Sequence, residues 1–173
     1  MLHVAPEDTF QPLLTARGFR YVTTDLYADG VDVRADLTRL PFPDSRFALV
    51  VCGHVLEHVD DDRAALREVC RVLRPGGLAL LLIPIDPGLD RTVDVPAGAD
   101  PRDYGIEQID HRRQYGRDAV DRIRAADLAV AGNYAGQLDP ALVHRHAMSS
   151  AGMYVASRSG EGRCSTASGK AWA

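Results

Sequence analysis

A chain of 173 residues with 46% hydrophobic content is long enough for one domain with a sizeable core and too short for two ordinary ones. Its net charge of −4 at pH 7 argues against general affinity for nucleic-acid phosphates or anionic membranes, and no apolar run approaches the roughly 20 residues that span a bilayer. Three cysteines without a CxxC spacing imply neither a disulfide framework nor a zinc set. With no basic-then-apolar segment at the N-terminus, the expectation is a soluble cytoplasmic protein whose partner is a small molecule, with no nucleic-acid or membrane partner.

Leu2-His3-Val4 reads as the end of a strand that is either very short or begins upstream. Ala5-Pro6-Glu7 turns the chain, and Asp8 or Thr9 is placed to cap a helix carrying Phe10, Leu13 and Leu14 on one face and stopping near Gly18. Residues 20–26 form a β-prone run ending on Asp25, which stands 20 residues after Ala5. That is close to the roughly 20-residue offset at which nucleotide-binding sheets present a carboxylate to ribose hydroxyls, although a strand-ending Asp in an Asx turn fits the same pattern. A weaker strand over 31–35 leads into Asp36-Leu37 and the turn Leu40-Pro41-Phe42-Pro43-Asp44.

Residues 47–52 are apolar and β-branched without alternation, which suits a strand covered on both faces at the centre of a sheet. Asp60, Asp61 and Asp62 supply cap candidates for a helix whose Leu66, Val69, Cys70 and Leu73 recur at i, i+3, i+4 and i+7. Arg71 and Arg74 suit its end, Pro75 cannot continue it, and Gly76-Gly77 permits reversal into a second buried strand over 78–83. Two such strands joined through a helix predict a parallel crossover, and parallel sheets bind ligands beyond the carboxyl ends of their strands. The segment leaving the central strand, Cys52-Gly53-His54-Val55-Leu56-Glu57-His58, therefore holds the first candidates for function.

Residues 85–104 read as a long Pro/Gly-rich loop, either a lid or a disordered stretch. Asp118 is placed to cap a late helix with Val120, Ile123 and Leu128 inward, and residues 128–131 return to the sheet. Residues 152–157 read as a final strand in an antiparallel edge hairpin with the strand at Leu128. His144 and His146 sit two apart without an evident third ligand, so no metal is expected. The domain is expected to span 1–157, followed by a disordered Ser/Gly/Ala-rich tail over 158–173.

HVLEHV after an apolar strand, followed by ALREVCRVLRPGG and a second strand, resembles the class I S-adenosylmethionine-dependent methyltransferases of the small-molecule type 11 group. The resemblance covers roughly residues 2–157 and implies an α/β, Rossmann-like fold. Its mostly parallel seven-stranded sheet would have helices on both faces and an antiparallel last strand, the first strand being short or truncated. It also implies S-adenosylmethionine as cofactor and a small-molecule methyl acceptor, and it leaves a homodimer open.

The glycine-rich loop usual in that family is missing. His3 falls where an acid is expected, and Ala5, Glu7 and Thr9 fall on its three glycines, although LHVAPE is similar to a family variant in which HxAPE replaces them. The resemblance implies cofactor-binding roles for His3, Ala5 and Glu7, for Asp25 and Leu26 at the ribose, for Asp36 and Leu37 at the adenine, and for Gly53 and His54. Phe47-Ala48 departs from the family's Phe-Asp at the start of the central strand. Gln108-Ile109-Asp110-His111-Arg112-Arg113-Gln114-Tyr115-Gly116 resembles a DHxRxYG segment near the active-site mouth, where His111 is a substrate contact or base, or else a structural partner. His54 is the best-placed base for a protonated acceptor, since an imidazole titrates near neutrality.

Two readings follow: a methyltransferase acting on a small molecule, or a methyltransferase-like binding or partner protein that no longer methylates. A dehydrogenase ranks third, because no GxGxxG follows the first strand.

Overall fold

The structure, a computed structural model, describes residues 1–7, 10–16, 18, 20–133 and 152–158. A seven-stranded sheet is built in the order β3-β2-β1-β4-β5-β9-β8. β1 (Leu2–Val4) lies between β2 (Val22–Asp25) and β4 (Phe47–Gly53), with Leu2 opposite both Val22 and Val50. β3 (Val33–Arg34) pairs with β2, and β5 (Leu73–Leu82) with β4; all these pairs are parallel. Every residue of β1 is buried, as are Val50, Val51 and Cys52 of β4, which is the two-sided burial that an unalternating apolar run predicts.

The far side of the sheet carries the expected antiparallel pairing of the last strand with the strand at Leu128. β9 (Met153–Arg158) is not an edge strand; it is inserted antiparallel between β5 and β8 (Leu128–Asn133). The side chains give the reason. Tyr154 and Ala156 of β9 are buried, whereas every second residue of β8 from Ala129 is exposed, as suits an edge. Arg158 belongs to β9 rather than to a tail.

α1 spans Phe10–Ala16 and α2 spans Asp62–Val72. Of the three aspartates before α2, Asp61 is the cap, its carboxylate accepting from the Ala64 N–H at 2.9 Å. Ala65, Leu66, Val69 and Cys70 form the buried stripe, as their spacing predicts. The helix ends one residue earlier than its periodicity implies, because Leu73 takes an extended conformation and pairs with Phe47. Residues 74–77 then bulge out before the ladder resumes at Leu49 and Leu78. Gly76 has φ of +72°, and a Cβ on Gly77 would lie 2.8 Å from the Arg74 carbonyl oxygen, so both positions require glycine.

The long segment after β5 is ordered rather than structureless. β6 (Val93–Asp94) pairs antiparallel with β7 (Arg113–Gln114), Ile85 bridges to Tyr115, and Pro101–Tyr104 makes one 3₁₀ turn. A buried polar network ties it down. Asp62 of α2 accepts from the Tyr115 hydroxyl at 2.8 Å and from Arg122 of α3 (Ala119–Arg124), while Asp94 pairs with both Arg122 and Arg113. Asp118 stands at the N-cap position of α3 as expected, but its side chain makes no cap bond; its carboxylate accepts instead from the Thr92 N–H and hydroxyl.

Cys52 is free and buried, and burial pushes its thiol pKa up. The caps at Asp8 and Thr9, the inward face of α1, the His144 and His146 pair, and residues 159–173 lie outside what is described. Among the described residues, no helix is long and apolar enough to cross a membrane.

His3 is 3% exposed, and its Nδ1 lies 2.5 Å from the Tyr21 hydroxyl. Burial lowers its pKa, so the folded state resists protonation that the unfolded chain accepts near pH 6.5. The stability this group contributes is complete above pH 6.5 and is lost as pH falls from there through the folded-state value. Urea unfolding midpoints are therefore expected to drop between pH 7 and 5, and His3→Gln is expected to flatten that slope.

Candidate functional site

The parallel strands β3, β2, β1, β4 and β5 all end at one edge, and the sheet's direction of winding reverses between β1 and β4. Crevices at such a reversal are where open α/β sheets take ligands. Backbone bonds extend the ladder past the strand ends and hold the loops to this edge: Ala5 N–H to the Thr24 carbonyl at 2.8 Å, Ala35 N–H to that of Asp25 at 3.0 Å, and His54 N–H to that of Leu82 at 3.0 Å. Asp25, Asp36 and His54 therefore share one rim. They do not leave three adjacent strands, however, since β1 and its loop stand between Asp25 and His54.

The loop after β1 keeps a backbone that glycine would favour. Ala5 has φ of +48°, a left-handed conformation that costs a residue with a Cβ about 1–3 kcal/mol. Glycine would relieve the strain but lose more chain entropy on folding. Ala5→Gly is accordingly expected to stabilise by roughly 0.5–1 kcal/mol and raise the thermal midpoint by about 2–3 °C, read by calorimetry. Glu7 is exposed on the same loop and contributes to the electrostatic environment of His54.

At the end of β2, the Asp25 Oδ1 accepts from the Tyr27 and Ala28 N–H groups at 2.6 and 2.7 Å. The Asx turn and a carboxylate at the rim thus coexist, with Leu26 beside it 43% exposed. Asp36 likewise caps its own turn, accepting from the Thr38 N–H and hydroxyl, both at 2.8 Å. Arg71 and Glu68 of α2 hold the loop that follows. Arg71 donates to the Leu40 and Phe42 carbonyls, and Glu68 accepts from the Leu40 N–H.

Two expected cofactor contacts are already engaged within the protein. His3 is committed to Tyr21, because the middle of a central strand faces packed neighbours rather than the rim. Leu37 is 5% exposed and its side chain belongs to the main core, which leaves its backbone for an adenine. A Cβ on Gly53 would meet Leu82 at 3.7 Å, an ordinary contact, so packing does not demand glycine there.

Residues 54–58 form turns rather than a helix, with His54 at φ of +53° and the His58 N–H bonded to the Val55 carbonyl at 3.0 Å. His54 and His58 consequently have different partners. The His54 Nδ1 lies 3.4 Å from the Oε1 of buried Glu57, and this hydrogen bond raises the pKa of His54 despite partial burial. The His58 Nδ1 lies 3.3 Å from Asp110, and its ring stands edge-on to that of His111 with centroids 4.7 Å apart. His111 is buried, which lowers its pKa, and repulsion from His58 adds to this. The Arg112 N–H donates to the Glu57 carbonyl at 2.7 Å, and Arg113 donates to the Leu56, Val59 and Asp60 carbonyls, clasping the two segments together.

Glu57, His58 and Arg113 are the residues that pattern reading undervalued. The available signal was a carboxylate set between two histidines in HVLEHV.

The fold is that of S-adenosylmethionine-dependent methyltransferases. A solved S-adenosylmethionine-dependent methyltransferase from Mesorhizobium loti aligns over 91% of this chain and 89% of its own with a TM-score of 0.65 at 17% identity. Burkholderia thailandensis 1,6-didemethyltoxoflavin-N1-methyltransferase, solved with its substrate and S-adenosylhomocysteine, aligns over 91% and 70% with a TM-score of 0.61 at 17% identity.

In sequence, residues 9–81 match the family model described as Methyltransferase domain. The ubiquinone/menaquinone biosynthesis C-methyltransferase UbiE of Hahella chejuensis is 42% identical over 73 residues, covering 40% of this chain and 29% of that protein. The chain spans less than a third of the length of the curated relatives that it matches.

Proposed function

We propose that this protein, as one domain over residues 1–157, binds S-adenosylmethionine at the carboxyl edge of its sheet and transfers the methyl group to a small-molecule acceptor. The observation that carries the reading is the shared rim, where Asp25, Asp36 and His54 follow parallel strands on either side of the left-handed turn at Ala5. The named relatives, a ubiquinone/menaquinone biosynthesis C-methyltransferase and a 1,6-didemethyltoxoflavin-N1-methyltransferase, support a small-molecule acceptor.

When bound, S-adenosylmethionine supplies an electrophilic methyl on a sulfonium. The chain's task is then to position donor and acceptor for in-line displacement. Asp25 accepts from the ribose hydroxyls through the carboxylate oxygen that its Asx turn leaves over. Asp36 and the Leu37 backbone border the adenine, and Ala5 and Glu7 flank the methionine portion. His54 takes the acceptor's proton, and Glu57 stabilises the resulting imidazolium.

The absence of glycines at Ala5 and Glu7 favours a second reading, a binding or partner protein without transfer activity. Calorimetric titration of the full chain with S-adenosylhomocysteine decides whether the cofactor reading stands. A one-to-one complex supports it, and no binding at high protein concentration overturns it.

A further inference from the structure

Glu57 is 1% exposed, and its Oε2 has no hydrogen-bond partner; His111 is 8% exposed, and its Nδ1 has none. Two buried polar atoms left unpaired beside each other are costly, each forfeiting about 1–3 kcal/mol of lost hydration, and such groups in a folded protein ordinarily have a partner. His58 completes the cluster. Among the described residues, Glu57, His58 and His111 each offer one ligand atom, and these atoms lie within 4.8 Å of one another.

We propose that Glu57, His58 and His111 form a binding site for a divalent transition-metal ion of the zinc type. Two imidazoles and one carboxylate are borderline donors, which suit zinc or its first-row neighbours rather than magnesium or calcium, whose sites are built from oxygen. The spacing is that of a site that contracts on loading, since three atoms within 4.8 Å surround a centre that each reaches by a small side-chain shift.

The surroundings match those of a metal site. The Asp110 carboxylate lies 3.3 Å from the His58 Nδ1, the arrangement by which an outer carboxylate orients a ligating imidazole and fixes its tautomer. His54 lies on the other Glu57 oxygen, Oε1, and leaves Oε2 to the ion. The backbone bond from the Arg112 N–H to the Glu57 carbonyl fixes the two segments against each other although they are far apart in the chain. The side chain of His58 is 36% exposed, which provides an entry path and leaves the remaining coordination positions open to solvent. The site shares Glu57 with the proposed base His54, which bonds its other oxygen, and its test uses no methyl donor.

The full chain, stripped with a chelator and dialysed, is titrated with Zn²⁺ by calorimetry and with Co²⁺ by visible absorption. The expected result is one equivalent bound, with the absorption of a low-symmetry cobalt site. His58→Ala is at a partly exposed position and leaves the fold intact. Together with His111→Ala it is expected to lower affinity by about a hundredfold or more, while Asp110→Ala lowers it by about tenfold, the usual range for an orienting partner. Failure of the unsubstituted chain to bind one equivalent overturns the proposal. Undiminished one-to-one binding in His58→Ala also overturns it, by assigning the ion to other histidines.

Discussion

Asp25→Asn is expected to weaken binding of S-adenosylhomocysteine by about ten- to a hundredfold, which corresponds to roughly 1.4–2.7 kcal/mol. The magnitude follows from replacing charge-assisted hydrogen bonds to two hydroxyls with neutral ones. The choice of asparagine matters because Asp25 also shapes the rim, its Oδ1 accepting from the Tyr27 and Ala28 N–H groups. An asparagine oxygen keeps both bonds, so the turn survives while the charge is removed. Asp25→Ala would remove both and confuse a lost contact with a lost loop. Calorimetric titration reads the affinity, and an unchanged thermal midpoint verifies that the turn is preserved. Equal affinity in Asp25→Asn and the parent chain would exclude this carboxylate from the site.

Arg113→Ala is expected to destabilise the fold by about 3–5 kcal/mol and lower the thermal midpoint by roughly 10 °C. Arg113 is 3% exposed and donates to the carbonyls of Leu56, Val59 and Asp60 while pairing with Asp94 at 2.9 Å and lying 3.7 Å from Asp62. Its removal leaves the three carbonyl acceptors without their donor and Asp94 and Asp62 with Arg122 as their one remaining cation among the described residues. Arg113→Lys is not expected to rescue, because a single ammonium cannot reach the three carbonyls and the carboxylate that the planar guanidinium fork serves. Arg102 is the natural control. Its pair with Asp100 is exposed to solvent, and Arg102→Ala is expected to leave the midpoint unchanged. A shift for Arg113→Ala no larger than that of the control would show that the clasp contributes nothing.

These two residues differ in how far local pattern reveals them. Asp25 ends a β-prone run at a set distance from the first turn, and both cues are local. Arg113 stands in a run of charges, DHRRQY, where a solvated surface is the ordinary reading. Its burial arises only because β7 is laid against the turn after β4 and the start of α2. Leu37 misled in the opposite direction. An apolar residue in a loop suggests a ring contact, but Arg71 and Glu68 draw the loop 37–44 against α2 and turn Leu37 into the core.

The amino-acid sequence by itself determined the β4-α2-β5 unit, the buried stripe and acidic start of α2, and the strand-end positions of Asp25, Asp36 and His54. Each of these depends on neighbours a few residues apart, where periodicity, caps and glycines act directly. Tertiary structure alone decided the insertion of β9 between β5 and β8, the pairing of His3 with Tyr21, the buried clasp of Arg113 and Arg122, and the meeting of Glu57 and His58 with His111. Those contacts join segments far apart in the chain, and what selects them is which polar atoms find partners once the apolar faces have packed, a condition that no local spacing carries.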